Sequence, residues 1–180
     1  MKKVYIDCGA WKGLSLETFM KHNTDYEIHA FDPVRAYDYP PEVHFHNKAV
    51  WIEDCMKNFY VNRDKMNAGS SLYKGKKTGK LDTKRPKKVT CIDFPKWITD
   101  NFEKTDYIIL VMNIEGAEYQ ILNKMMEDRT IEYIDELYVS PHAQKIKGMG
   151  GWQANLVKAL AKENVNYRKG FYKWRPSEKK

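Results

Sequence analysis

An α/β protein with a mostly parallel sheet is the fold class this sequence predicts, and three observations predict it. Strand-like and helix-like segments alternate along the chain. The most apolar run, Tyr107 to Met112, is continuous rather than alternating. Glycine or polar turns follow the carboxyl ends of the strand-like runs. A continuous apolar run fits a central parallel strand buried on both faces. Alternating strands and helices imply right-handed crossovers that lay helices on both faces of the sheet.

The elements follow in order. Val4 to Asp7 is a short apolar strand, and Leu14 to His22 carries Leu16, Phe19 and Met20 at helical spacing. Glu27 to Phe31 is a second strand, closed by Asp32-Pro33. Val43 to Phe45, Lys48 to Trp51 and Asn58 to Val61 read as further strands. Lys88 to Ile92 is a strand that leads into a helix at Phe94 to Phe102, with Pro95 suited to a first turn. Tyr107 to Met112 is followed by a helix over Glu115 to Met126, a strand at Glu136 to Val139, a flexible Gly148 to Gly151 loop and an amphipathic helix at Trp152 to Glu163. Val165 to Arg168 and Phe171 to Trp174 flank Lys169-Gly170 as a hairpin, which adds an antiparallel strand at one edge. Residues 175–180 read as a frayed tail.

With 180 residues, 42% hydrophobic and 31% charged, the chain suits a single domain over residues 1–180. It has no apolar run near the ~20 residues that span a bilayer. Its amino terminus enters a strand directly, which reads as a chain without a leader. Cys8, Cys55 and Cys91 are odd in number and lack metal-site spacing, so they read as buried small hydrophobes rather than as disulfides or a zinc site. Together these features point to a cytoplasmic protein. The net charge is +7, but Arg63 to Lys88 holds ten Lys or Arg against two Asp, or +8, which leaves about −1 elsewhere. A neutral body with one basic segment, a loop insertion at about 62–88, suggests local recognition of an anion rather than general nucleic-acid binding. Gly69, Gly75 and Gly79 make that loop a mobile flap, and Ser70 and Ser71 are placed to reach a bound ligand when it closes.

Four motifs carry chemistry. Asp7-Cys8-Gly9-Ala10-Trp11-Lys12-Gly13 lies where the first strand meets the first helix, the place where open α/β sheets bind ligands. A dinucleotide site would begin G-x-G; here an acid occupies the first position. A carboxylate repels a pyrophosphate but complements the ammonium and sulfonium of S-adenosylmethionine. Asp32 ends the second strand 19 residues past Gly13, the spacing of an acid that accepts hydrogen bonds from ribose hydroxyls. Asn113, Glu115 and Gly116 follow the most buried strand and should line a central pocket, although both polar residues would also serve as helix caps. Ser140-Pro141-His142 follows the next strand, so His142 should emerge on the same rim as a general base. His22, His29, His44 and His46 look like surface or core positions.

On these residues the chain resembles the FkbM-type methyltransferases. Asp7-x-Gly9-Ala10-x-x-Gly13, Phe31-Asp32-Pro33, Asn47-x-Ala49-Val50 and Asn113-Ile114-Glu115-Gly116-Ala117-Glu118 occur in the family's order over roughly residues 4 to 142. The family's last run usually reads K-x-D-x-E-G-x-E, so Asn113 replaces an Asp. Ser140 stands where a glutamate often precedes the histidine.

The resemblance implies a Rossmann-like methyltransferase fold and O-methylation of a hydroxyl on a sugar, glycan or nucleotide-sugar, that is, carbohydrate modification. It places S-adenosylmethionine against Asp7, Gly9, Ala10, Trp11, Gly13, Asp32, Pro33, Asn47, Ala49, Ser70, Asn113 and Glu115. His142 is then the base, with Asn113 and Glu115 orienting donor or acceptor and no metal required. The sequence leaves two rivals open. One is an RNA methyltransferase that uses the basic loop and its single aromatic, Tyr73; the other is a non-catalytic cofactor-binding domain.

Overall fold

The structure is a computed structural model that describes residues 1–170 and Tyr172. Its main sheet contains β1 (Lys3–Cys8), β2 (Glu27–Phe31), β3 (Val43–His46), β7 (Tyr107–Met112), β8 (Glu136–Val139) and β9 (Asn166–Lys169). Their order is β3-β2-β1-β7-β8-β9, and every pairing is parallel. The chain runs outward from β1 in one direction and resumes at β7 in the other, so the strand order reverses between β1 and β7. Open sheets of this kind form a ligand crevice at that point. This is the mixed α/β architecture of a Rossmann-like fold.

Helices cover both faces. Tyr5, Ile28, Ala30, Ile109, Val111 and Tyr138 point to the side of α1 (Leu14–Met20), where Leu16 and Phe19 pack on them. Val4, Ile6, Cys8, Ile108, Leu110 and Met112 point the other way, toward α2 (Phe94–Asn101), α3 (Glu118–Glu127) and α4 (Trp152–Leu160). Apolar residues occupy both sides of β1 and β7, which is why these strands read as uninterrupted hydrophobic runs. Asp93 caps α2 by accepting a hydrogen bond from the Lys96 amide, and Pro95 lies in its first turn.

A second sheet was not legible in the sequence. It contains β4 (Ala49–Trp51), β5 (Cys55–Phe59) and β6 (Lys87–Asp93) in the order β4-β6-β5, with β5 antiparallel to β6. The strand read at Asn58 to Val61 therefore begins three residues earlier than expected.

Two other expectations need correction. The helix expected from Glu115 begins at Glu118, because Glu115 (φ 58) and Gly116 (φ 122) are left-handed and a right-handed helix cannot pass through them. The first arm of the expected hairpin is β9, and it lies parallel to β8. The second arm, Phe171 to Trp174, falls outside the described residues except for Tyr172, as does the tail at 175–180. Among the described residues, no helix is long and apolar enough to cross a membrane.

Candidate functional site

A cavity of about 310 Å³ opens at the carboxyl ends of β1, β2 and β7, where the strand order reverses. Its wall near β1 and β2 includes Gly9, Ala10, Trp11, Ser15, Asp32 and Pro33. Asn113, Ile114, Glu115 and Ala117 form the wall past β7. Phe31, Ala49, Val50, Phe59 and Leu72 supply an apolar side, and Asn67 to Ser70 cover the top.

The β1–α1 turn is built around one close approach. A Cβ on Gly9 would lie 2.3 Å from the backbone oxygen of Asn113. Gly9 is thus required by the loop that follows β7, and the Asn113 amide in turn donates to the Cys8 carbonyl at 2.9 Å. Gly9 also lines the cavity, so room for another backbone adds to the sequence reading of this glycine as room for a ligand. Gly13, by contrast, lies off the cavity; it is left-handed at φ 73 and precedes α1.

Asp32 accepts from the Trp11 amide (3.1 Å) and the Val34 amide (2.9 Å), one on each carboxylate oxygen, which leaves a lone pair on each. Asn47 does not line the cavity. Its side-chain amide donates to the Asp32 carbonyl at 3.1 Å and so holds the turn. Asp7 lies beneath the floor, 1% exposed, and accepts from Ser15 Oγ, itself a lining residue. Burial raises Asp7 to about 7, with a contribution from the Asp32 charge, and burial raises Asp32 to about 6. Among the described residues, no cation pairs with either carboxylate.

The opposite wall is different. Glu115 Oε2 is buried and accepts no aligned hydrogen bond from the described residues, yet Lys76 Nζ is 3.0 Å away, His142 Nε2 3.5 Å and Lys145 Nζ 3.8 Å. Behind it, Glu118 is fully buried and accepts from the Ile114 and Gly116 amides, which fixes the turn that lifts Glu115 into the cavity. His142 Nδ1 lies 2.8 Å from Glu118. His142 is 5% exposed and does not line the cavity, so it reaches the site only through Glu115. This corrects the expectation that it emerges on the rim: the segment after β8 turns inward, where Glu118 holds Nδ1 and the Glu115 carboxylate lies near Nε2.

The basic segment is no free flap. It folds down as the roof, held at three places. Trp11 Nε1 donates to the Met66 carbonyl at 2.8 Å, Ser71 Oγ to the Glu115 carbonyl at 2.8 Å, and the Lys77 amide to the Lys145 carbonyl at 2.7 Å. Lys76 is buried and also donates to the Gly69 carbonyl at 2.5 Å. Ser70 lines the cavity, but its hydroxyl proton is committed to the Asn67 carbonyl at 2.6 Å. Arg63 and Arg85 both pair with Asp82. Among the residues of the segment whose side chains are described, the exposed cations without an ion-pair partner are Lys74, Lys77, Lys84, Lys87 and Lys88.

Trp11 (φ 45) and Glu115 (φ 58) face the same cavity in the left-handed region. Such conformations cost about 1–3 kcal/mol each and concentrate at ligand sites. Of the predicted site residues, Gly9, Ala10, Trp11, Asp32, Pro33, Ala49, Ser70, Asn113 and Glu115 meet at the cavity; Asp7, Gly13, Asn47 and His142 support it from behind. Lys76 and, on the apolar side, Phe31, Val50, Phe59 and Leu72 were missed, and Glu118 stood in a motif without a role of its own. An acid in the first turn of a helix was the available signal for Glu118. For Lys76, one lysine in a basic run, there was none. Among the described residues, no group of three or more His, Cys, Asp or Glu could hold a metal ion.

Fold and cavity define an α/β protein with a built site at its strand-order reversal. The chain belongs to the family described as a domain of unknown function (DUF7870), whose model matches residues 35–161. That stretch contains Lys76, Glu115, Glu118 and His142, whereas Asp7, Gly9, Trp11 and Asp32 precede it. No curated protein and no solved structure matches the chain.

Proposed function

We propose that this protein is an S-adenosylmethionine-dependent O-methyltransferase of the FkbM type acting on a hydroxyl of a sugar, glycan or nucleotide-sugar. The observation that carries the reading is the pair of carboxylates without a cation partner among the described residues, buried Asp7 and half-buried Asp32, at one wall of a cavity whose apolar side suits a flat ring. A desolvated carboxylate without a counter-ion keeps its proton, and a cationic ligand favours its ionised form. When bound, S-adenosylmethionine supplies an electrophilic methyl group.

The chain's own residues do the rest. Asp32 holds the ribose hydroxyls with its free lone pairs, Asp7 offsets positive charge through the floor, and Trp11 and Asn113 close the sides. Glu115 is the carboxylate that the acceptor hydroxyl meets, so it takes the role that the sequence assigns to His142. His142 and Glu118 stand behind it, and orientation supplies much of the rate.

Calorimetry with S-adenosylmethionine and S-adenosylhomocysteine tests the binding half of this reading. Transfer from a labelled donor to sugar nucleotides, glycans and RNA tests the acceptor class. Absence of donor binding overturns the proposal. Label in RNA alone gives the exposed lysines of the roof a phosphate partner, and binding without transfer to any acceptor makes the domain a non-catalytic binder.

A further inference from the structure

Cys55 and Cys91 are directly opposed residues in the antiparallel ladder of β5 and β6. Opposed residues in such a ladder have α-carbons about 4.5–5.5 Å apart, within the span of roughly 4.4–6.8 Å that a disulfide bridges. Both are free thiols; Cys91 is buried, whereas Cys55, expected to be buried, is half-exposed. Burial and the facing Cys55 thiol together push the Cys91 thiol up to about 12. Cys8 lies in the other sheet, between Phe31 and Met112, and offers no competing partner. The position has a consequence. β5 carries the chain into the cavity roof and β6 brings it out, so Cys55 and Cys91 stand at the base of the ladder from which the roof rises, at its end away from the roof.

We propose that Cys55 and Cys91 form a reversible oxidation site that staples the base of the ladder from which the cavity roof rises. The oxidant is a small-molecule disulfide. The more accessible Cys55 thiolate attacks one of its sulfurs, forming a mixed disulfide and expelling one small thiolate, which takes up the Cys55 proton. Cys91 Sγ then attacks Cys55 Sγ, forming the intramolecular bond and expelling the second small thiolate, which takes the Cys91 proton. The protein loses two electrons and two protons, and the small disulfide becomes two thiols. Closure encloses the segment from Met56 to Thr90, including Phe59, Asn67 to Ser70 and Leu72 of the cavity lining.

The test exposes the full chain to oxidised glutathione, followed by intact mass and non-reducing peptide mapping. The expected product is two hydrogens lighter, joins the peptides of Cys55 and Cys91, and returns to the starting mass with dithiothreitol. Its melting temperature should exceed that of the reduced form by about 5–10 °C, the shift expected when a loop of this size is closed. Cys91→Ser should trap glutathione on Cys55, and Cys55→Ser should abolish both the linkage and the shift. Should Cys91→Ser fail to fold, Cys55→Ala in the unperturbed background gives the same decision through loss of the linkage. A glutathione adduct on wild-type Cys55 that never resolves, a bond to Cys8, or two thiols that stay free overturns the proposal. None of these readouts depends on methyl transfer.

Discussion

The two walls of the cavity handle buried charge in opposite ways. On the β1–β2 side, Asp7 and Asp32 are left without cations, and both are held well above the usual carboxylate range. On the β7 side, Glu115 lies within 4.0 Å of Lys76, Lys145 and His142. A site needing only structural neutrality would treat both walls alike. The contrast teaches that one wall balances its carboxylate with cations of the chain, while the other relieves its charge by holding protons more tightly.

The largest effect should come from forcing the walls apart. Gly9→Ala places a methyl group against the Asn113 carbonyl and a side chain at φ 86, so a loss of ~3–5 kcal/mol in unfolding free energy is expected by chemical denaturation. Gly116→Ala should cost less, because the nearest atom it meets is the end of the flexible Ile146 side chain. An equal loss in both variants would mean that strain from positive φ, rather than backbone contact, governs the β1 turn.

Removing the internal cation comes next. Lys76→Met leaves Glu115 with weaker neighbours and two carbonyls without their donor, and should lower stability by ~2–3 kcal/mol. Unchanged stability would show that Lys145 and His142 suffice. On the opposite wall, Asp32→Ala should weaken S-adenosylhomocysteine binding by ~1–3 kcal/mol in calorimetry, the worth of a hydrogen bond to a charged acceptor. An unaltered dissociation constant removes Asp32 from the ribose site.

The same contrast predicts a pH dependence. In the folded chain, Asp7 (about 7) and Asp32 (about 6) keep protons that the unfolded chain, near 3.8, has already released. Between about pH 4 and pH 7 the folded state therefore binds more protons, and stability falls as pH rises through that window. Unfolding free energy should be higher at pH 5 than at pH 7, and Asp7→Asn should flatten the difference. A cationic donor stabilises the ionised carboxylates, so S-adenosylmethionine should bind more tightly at pH 8 than at pH 6. The neutral thioether product should show less of that trend.

The smallest effect belongs to the exposed lysines of the roof. Lys74 and Lys77 changed together to Ser should leave stability within ~0.5 kcal/mol and flatten the salt dependence of acceptor binding, since exposed charges are screened over ~8–10 Å. Lys76 is excluded from that set because it is buried.

Much of the main sheet was legible because hydrophobic continuity marks a buried strand and an acid or glycine marks its end. Glu27–Phe31, Tyr107–Met112 and Glu136–Val139 have the bounds read from the sequence. What escaped was decided by contacts distant in sequence. Residues 62–88 look like a basic surface loop from their lysines and glycines, but Trp11, Glu115 and Lys145 hold the segment down as a roof. His142 was placed at the right strand end but on the wrong side of Glu115, because the direction of a turn depends on Glu118 and not on local composition. Glu115 itself was recognised as a site residue, yet its left-handed backbone has no signature in a sequence that reads equally well as a helix start.

The placement of β1 bears on how the chain comes together as it is made. β1 is central in the finished sheet, and one of its two partners, Tyr107–Met112, is synthesised long after it. Until then β1, β2 and β3 can pair, but one edge of β1 lacks its neighbour and the carbonyl that Gly9 accommodates is not yet there. Long-range pairing of this kind is slow and leaves apolar strand edges open. Nascent chains that stall before Tyr107 should accordingly depend on chaperones, whereas those that have passed Met112 can seal the centre of the sheet.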